Sequence, residues 1–159
     1  MLKLQPIEFF LRVIPEGFLF IFAIYVFSQL NIDRKKYIIS TLLFSTSVYI
    51  VRLLPINYGV HMILTVLVLL FISIGYNKID AIKSIKSIII LYLIQLISEA
   101  VNVLVLNLMK LDLDKLFKDP IKKSILGLPS LLITLTIIVI FYLINKKRRK
   151  LKNEFRAIV

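Results

Sequence analysis

The chain has 159 residues, 59% of them hydrophobic, with no cysteine, no tryptophan and a formal net charge of +12, and its mean hydropathy is +0.91. Soluble domains average about 45–50% apolar residues, and a chain this short cannot hide such an excess from water, so a soluble globular fold is excluded and the surplus belongs against lipid. The missing cysteines exclude disulfides, thiolate metal sites and a cysteine nucleophile. The basic residues fall between and after apolar segments, so orientation in an anionic membrane explains the charge without nucleic acid.

The first apolar segment covers about 7–30. Pro6 suits a helix start. Pro15, Glu16 and Gly17 then interrupt the run, and a proline there frees a backbone carbonyl and bends the helix. Arg12 and Glu16 lie inside the apolar stretch and no small-residue cleavage pattern follows it, so a cleaved signal peptide is not expected.

Segment two, about 37–54, holds Ser40, Thr41, Ser45, Thr46 and Ser47, small hydroxyl residues that suit helix contacts in lipid. Pro55 stops it, and the short turn to Gly59 predicts an antiparallel hairpin with segment three, about 60–76. A linker carrying Lys78, Lys83 and Lys86 leads to segment four, about 87–108. From Met109 to Lys123, Leu111, Leu113, Leu116, Phe117 and Ile121 alternate with Asp and Lys, the pattern of a surface loop or interfacial helix. Segment five covers about 125–144, and a short basic tail, 145–159, follows. The expectation is one all-α, polytopic, five-transmembrane-helix bundle over 1–144.

Charge sets the orientation. With the C-terminus cytoplasmic and the N-terminus outside, Arg34, Lys35 and Lys36, the Lys78–Lys86 linker and the tail all fall inside, while the Pro55–Gly59 turn, which is uncharged, falls outside. Every connection expected inside is then net basic, as a cell-membrane protein requires. Lys146, Lys147, Arg148, Arg149 and Lys150 are placed to anchor this topology against anionic lipid headgroups.

Ionisable groups within spans are costly and face a cavity or one another. Glu8, Arg12 and Glu16 are four residues apart in segment one, which puts them on one face of a continuous helix. Arg52 ends segment two and His61 begins segment three. Gln95, Glu99 and Asn102 form one polar stripe on segment four. Alternating helix directions bring these positions to the outer side, so a polar pocket of mixed sign is expected among segments one to four. Two readings stand: internal ion pairs, Arg12 with Glu16 and Arg52 with Glu99, that fix helix register, or a site that senses a ligand or ion. A carboxylate as deep as Glu99 must be paired or neutralised. One histidine without cysteine makes no zinc site, and no cofactor or metal is expected.

No metalloprotease, lipase-type or phosphate-loop motif occurs. A membrane hydrolase would need a second acid deep in another span, so an enzyme is not expected.

The stretches from Glu8 to Glu16 (EFFLRVIPE) and from Arg52 to His61 (RLLPINYGVH) resemble the multi-span membrane input regions of sensor histidine kinases of Gram-positive, clostridia-like bacteria, over roughly residues 1–108. The resemblance implies a sensory or accessory module that passes an extracytoplasmic signal to a separate protein partner. His61, expected on the outer side, is not placed to be a phosphoacceptor. An alternative is the substrate-binding membrane subunit of a vitamin-type importer. Such subunits usually have six spans and a repeating small-residue docking pattern on the first helix, whereas Gly17, Ala23 and Ser28 do not repeat at a four-residue spacing.

Overall fold

A computed structural model describes residues 7, 9–55, 57–109 and 120–158, without the side chains of 58, 120, 123 and 149–158. Among the described residues all regular structure is helical. Helix α1 (Ile14–Phe27) follows a π-helical turn (Phe9–Val13), and α2 is Arg34–Leu53. Helix α3 (Tyr58–Phe71) runs into a second π turn (Ile72–Tyr76), followed by α4 (Ala81–Leu108) and α5 (Pro120–Ile158).

The boundaries follow local chemistry. Asp33 caps α2, accepting from the backbone N–H groups of Lys35 and Lys36 at 3.0 and 3.4 Å. Asp80 caps α4, accepting from Ile82 and Lys83 at 3.1 and 3.2 Å. Each carboxylate satisfies N–H groups that have no partner within the first turn. Leu54 is extended (φ −70°, ψ 140°), the conformation that Pro55 imposes on its predecessor. Gln29 and Lys78 take left-handed φ values of 56° and 59° and end the two apolar helices before them.

Among the described residues, four helical stretches are long and apolar enough to cross a membrane: Phe9–Phe27, Gly59–Tyr76, Ala81–Leu108 and Ser124–Arg148. The protein is thus an all-α, multi-pass membrane protein. The sequence reading counted a fifth span. Helix α2 is a full helix, but its five hydroxyl residues and the flanking Lys36 and Arg52 dilute its apolar character. Two helix boundaries add detail to the expectation. Residues 120–123, read as part of a surface stretch, open α5, while 110–119 lie outside the described residues. The tail from Asn145 is helical, because α5 continues through it to Ile158. At about 1.5 Å per residue its 39 residues are longer than the hydrocarbon core, which is about 30 Å thick.

Contacts along each pair give the directions. Phe20 meets Tyr92 and Ser28 meets Ser87, so α1 and α4 are antiparallel. Arg52 reaches Glu16 while Tyr37 meets Tyr25, so α1 and α2 are antiparallel as well. Arg12 meets Gly127 and Phe27 meets Phe141, so α1 and α5 run parallel. Helix α1 is the centre of the bundle. Half of its spanning stretch is buried, against 11% for α3, and Leu19 to Ile21 with Ala23 to Val26 form its share of the core. Helix α3 lies at the periphery, with Phe71 77% exposed; lipid tails solvate such a side chain as well as a protein core does.

The helix contacts are dominated by small hydroxyl residues. Ser40, Thr41, Ser73, Ser84, Ser98 and Thr134 are fully buried, which lets the backbones approach closely. At the end holding the α1–α2 and α3–α4 connections, Asn77 Oδ1 accepts from the Tyr25 hydroxyl at 2.8 Å and from Ser40 at 3.0 Å. Ser28 and Ser87 share a 2.9 Å hydrogen bond beside them. This network joins α1, α2 and α4 to the turn after α3.

Candidate ligand-binding cavity

The opposite end of the bundle is built differently. Pro15 has no N–H to donate to the carbonyl of Leu11, and the backbone there takes the wider π register over Phe9–Val13. Arg12 sits in that turn. Its guanidinium lies on the backbone of α5 at Gly127, where an added Cβ would stand 3.3 Å from both Cζ and Nη1. Glycine at this position therefore lets the arginine lie flat between α1 and α5 and reach α4.

Arg12 Nη2 stands 3.5 Å from Glu99 Oε1, and Arg52 Nη2 stands 3.6 Å from Glu16 Oε2. Helical spacing suggested Arg12 with Glu16, and convergence at the outer side suggested Arg52 with Glu99. The structure corrects both. The helical-spacing argument assumes an α register at Arg12, and the π turn breaks it. Both contacts are single and longer than the roughly 2.7–2.9 Å of a strong charge-assisted hydrogen bond. The side chains are partly exposed, 24% and 41% for Arg12 and Glu99, 30% and 14% for Arg52 and Glu16. They are the charged wall of an open space rather than sealed internal bridges.

That space is a cavity of about 770 Å³, and Arg12, Glu16, Arg52, His61, Gln95, Glu99 and Asn102 all line it. Seven of the eight polar residues singled out by sequence thus meet at one place. The eighth, Glu8, lies outside the described residues. Gln95 and Asn102 also hold helices together. Gln95 donates to Glu99 Oε1 at 3.1 Å and accepts from Thr134 at 3.0 Å, and Asn102 donates to the Leu126 carbonyl at 2.8 Å. Arg12 Nε, Glu16 Oε2 and His61 Nδ1 are buried and make no hydrogen bond among the described residues. A buried polar atom without a hydrogen bond costs about 1–3 kcal/mol, and all three belong to residues that line the cavity.

The cavity also has members that sequence reasoning missed. Helix α5 closes one side through Leu126, Gly127 and Ser130, so the pocket is not confined to the first four segments. Gly127, Ser130 and Thr134 repeat at helical spacing, and that small-residue stripe was the available signal. Phe20, Phe44 and Tyr92 form an aromatic wall, with Phe20 centred 5.8 Å from Phe44 and 5.7 Å from Tyr92. Nothing in the sequence distinguishes them from lipid-facing aromatics.

Lys146 lies toward the far end of α5 and lines a smaller cavity of about 360 Å³ with Tyr25 and Asn145. Lys147 and Arg148 are exposed, and the Arg149 and Lys150 side chains lie outside the described ones. The five basic residues sit apart from the main cavity. Among the described residues no three His, Asp or Glu side chains converge as a metal site. No protein-family model, curated protein or solved structure matches the chain.

Proposed function

We propose that this protein is an extracytoplasmic ligand detector of the cell membrane, a non-enzymatic sensory or accessory subunit that relays occupancy of its cavity to a separate partner protein. One observation carries the reading: polar residues from four helices, together with α5, line a single cavity of about 770 Å³ at one end of the bundle, within the roughly 300–1,000 Å³ typical of small-molecule sites. The resemblance of residues 8–16 and 52–61 to kinase input regions fits it. Helix α5 continues from the cavity wall at Gly127, through Pro129, to Ile158, so a shift at the cavity has a path to the opposite side. Its basic run from Lys146 to Lys150 also suits anionic headgroups there.

The reading includes five crossings, with α2 among them, the N-terminus outside and the C-terminus cytoplasmic. In support, α2 lies antiparallel against α1 along its length, and its Arg52 end joins the cavity. The absence of native cysteine makes the topology directly measurable. With a membrane-impermeant maleimide on intact cells, Asn57→Cys is expected to label, and Lys78→Cys and Lys147→Cys to label only after permeabilisation. Labelling of Lys78→Cys from outside would remove the five-span orientation.

The functional test is purification of the tagged chain from its native membrane in mild detergent. A stoichiometric regulatory partner is the expected result. An ATPase pair would instead favour the importer reading. That reading is disfavoured because Gly17, Ala23 and Ser28 are buried inside the bundle, leaving α1 no small-residue face for an outside partner. Recovery of the chain alone would overturn the accessory-subunit role.

A further inference from the structure

We propose that the cavity takes a zwitterion with an apolar body: a molecule carrying one anionic and one cationic group near each other, attached to an aromatic or hydrocarbon portion. This rests on the reading of the cavity as a ligand site and specifies its chemistry.

The first argument is charge. Among the described residues the lining holds Arg12, Arg52, Glu16 and Glu99, two groups of each sign. A net anion or net cation entering a low-dielectric space already balanced leaves one charge uncompensated, whereas a zwitterion leaves none. The second argument is unused bonding capacity. Both ion pairs are single contacts, at 3.5 and 3.6 Å. The Arg12 and Glu16 side chains are 24% and 14% exposed, so the guanidinium's remaining N–H groups can meet an anionic group and the carboxylate a cationic one. Both residues line the same cavity, so one ligand can meet the donor and the acceptor together. Gly127 keeps the guanidinium in place, since a side chain there would press on it.

The third argument is the rest of the wall. Phe20, Phe44, Tyr92, Val48 and Leu106 also line the cavity, a surface for an apolar body beside the charged groups. About 770 Å³ is room for a body well beyond a single small polar metabolite. A zwitterion of this kind has two sources: a small solute such as a short apolar peptide with free termini, or the headgroup and upper chains of a zwitterionic phospholipid.

The test uses the full chain in a nonionic detergent, with calorimetric titration and ligand-induced change in melting temperature as readouts. The solute arm is phenylalanyl-leucine in four forms: free, N-acetylated, amidated, and blocked at both ends. These share one body and differ in charge. The lipid arm is short-chain phosphatidylcholine and phosphatidylethanolamine against phosphatidylglycerol, all below their micellar concentrations. In at least one arm, the zwitterion is expected to bind about tenfold or more tighter than its singly charged or neutral counterpart, the scale of a lost hydrogen bond to a charged group. The arm that responds names the source. Arg12→Gln and Glu16→Gln are each expected to weaken that binding about tenfold, with Lys147→Gln unchanged.

Equal binding of the blocked peptide, or preference for a net anion or cation, would overturn the zwitterion while keeping the cavity as a ligand site. Failure of every probe would overturn it too, and the relay role is judged separately by the co-purifying partner. The wild-type series decides the matter even if the charge variants fold poorly.

Discussion

Replacing Arg12 by glutamine is expected to lower the stability of the purified protein by about 1–3 kcal/mol, with Glu99→Gln similar and the double change costing clearly less than the sum. Removing one partner leaves the other charge in a poorly solvated wall. Breaking a fully buried pair costs about 3–5 kcal/mol; exposures of 24% and 41% bring the expectation below that range. Arg52→Gln with Glu16→Gln should show the same non-additivity, because those two side chains face each other at 3.6 Å. Arg52→Gln with Glu99→Gln should be additive within about 0.5 kcal/mol. Thermal-melt cycles in one detergent measure all three combinations. Coupling between Arg52 and Glu99, with additivity between Arg12 and Glu99, would restore the pairings read from spacing and topology and would remove the π turn as what redirects Arg12.

Substitution of Gly17 is expected to have the other large effect. A Cβ at Gly17 would run into the Ser45 hydroxyl and stand 3.5 Å from a ring carbon of Phe44. Alanine requires Ser45 to move away from its 3.5 Å contact with the Val13 carbonyl. Valine cannot be accommodated by that movement and must force α1 and α2 apart, at a cost of about 1–3 kcal/mol for an overpacked interface. The same separation would disturb the Phe20–Phe44 wall, so Gly17→Val should lose ligand response as well as thermal stability. Ser45→Ala should relieve Gly17→Ala, because it removes the hydroxyl in the way, and should do less for Gly17→Val. A Gly17→Val protein that melts like the wild type would show that the two helices do not pack this closely.

These two expectations mark where sequence reasoning reached the site and where it stopped. Arg12, Glu16, Arg52, His61, Gln95, Glu99 and Asn102 were recognisable one by one, because a charged or amide side chain inside an apolar run stands out against the cost of placing it there. Their convergence followed from alternating helix direction, which the charge of the connections sets. Their partners did not follow. Arg12 and Glu16 look paired on an ideal helix, and only the π turn at Phe9–Val13 and the bare backbone at Gly127 send Arg12 toward Glu99. The fifth wall was missed because Gly127, Ser130 and Thr134 read as ordinary small residues of a span until Gln95 and Arg12 are seen against them.

By itself, the sequence determined solvent, the helical class and several helix ends. An apolar excess too large for a soluble core, Asp33 and Asp80 at N-caps, and Pro55 after α2 are local or compositional features, and they act through solvation and backbone geometry without reference to distant residues. Tertiary structure decided which helix is central, which charges face each other and what shape they enclose. In lipid the hydrophobic effect does not select one helix face over another. The choice falls to close approach at Gly17 and Gly127, to the buried hydroxyls, and to the few hydrogen bonds that join residues dozens of positions apart.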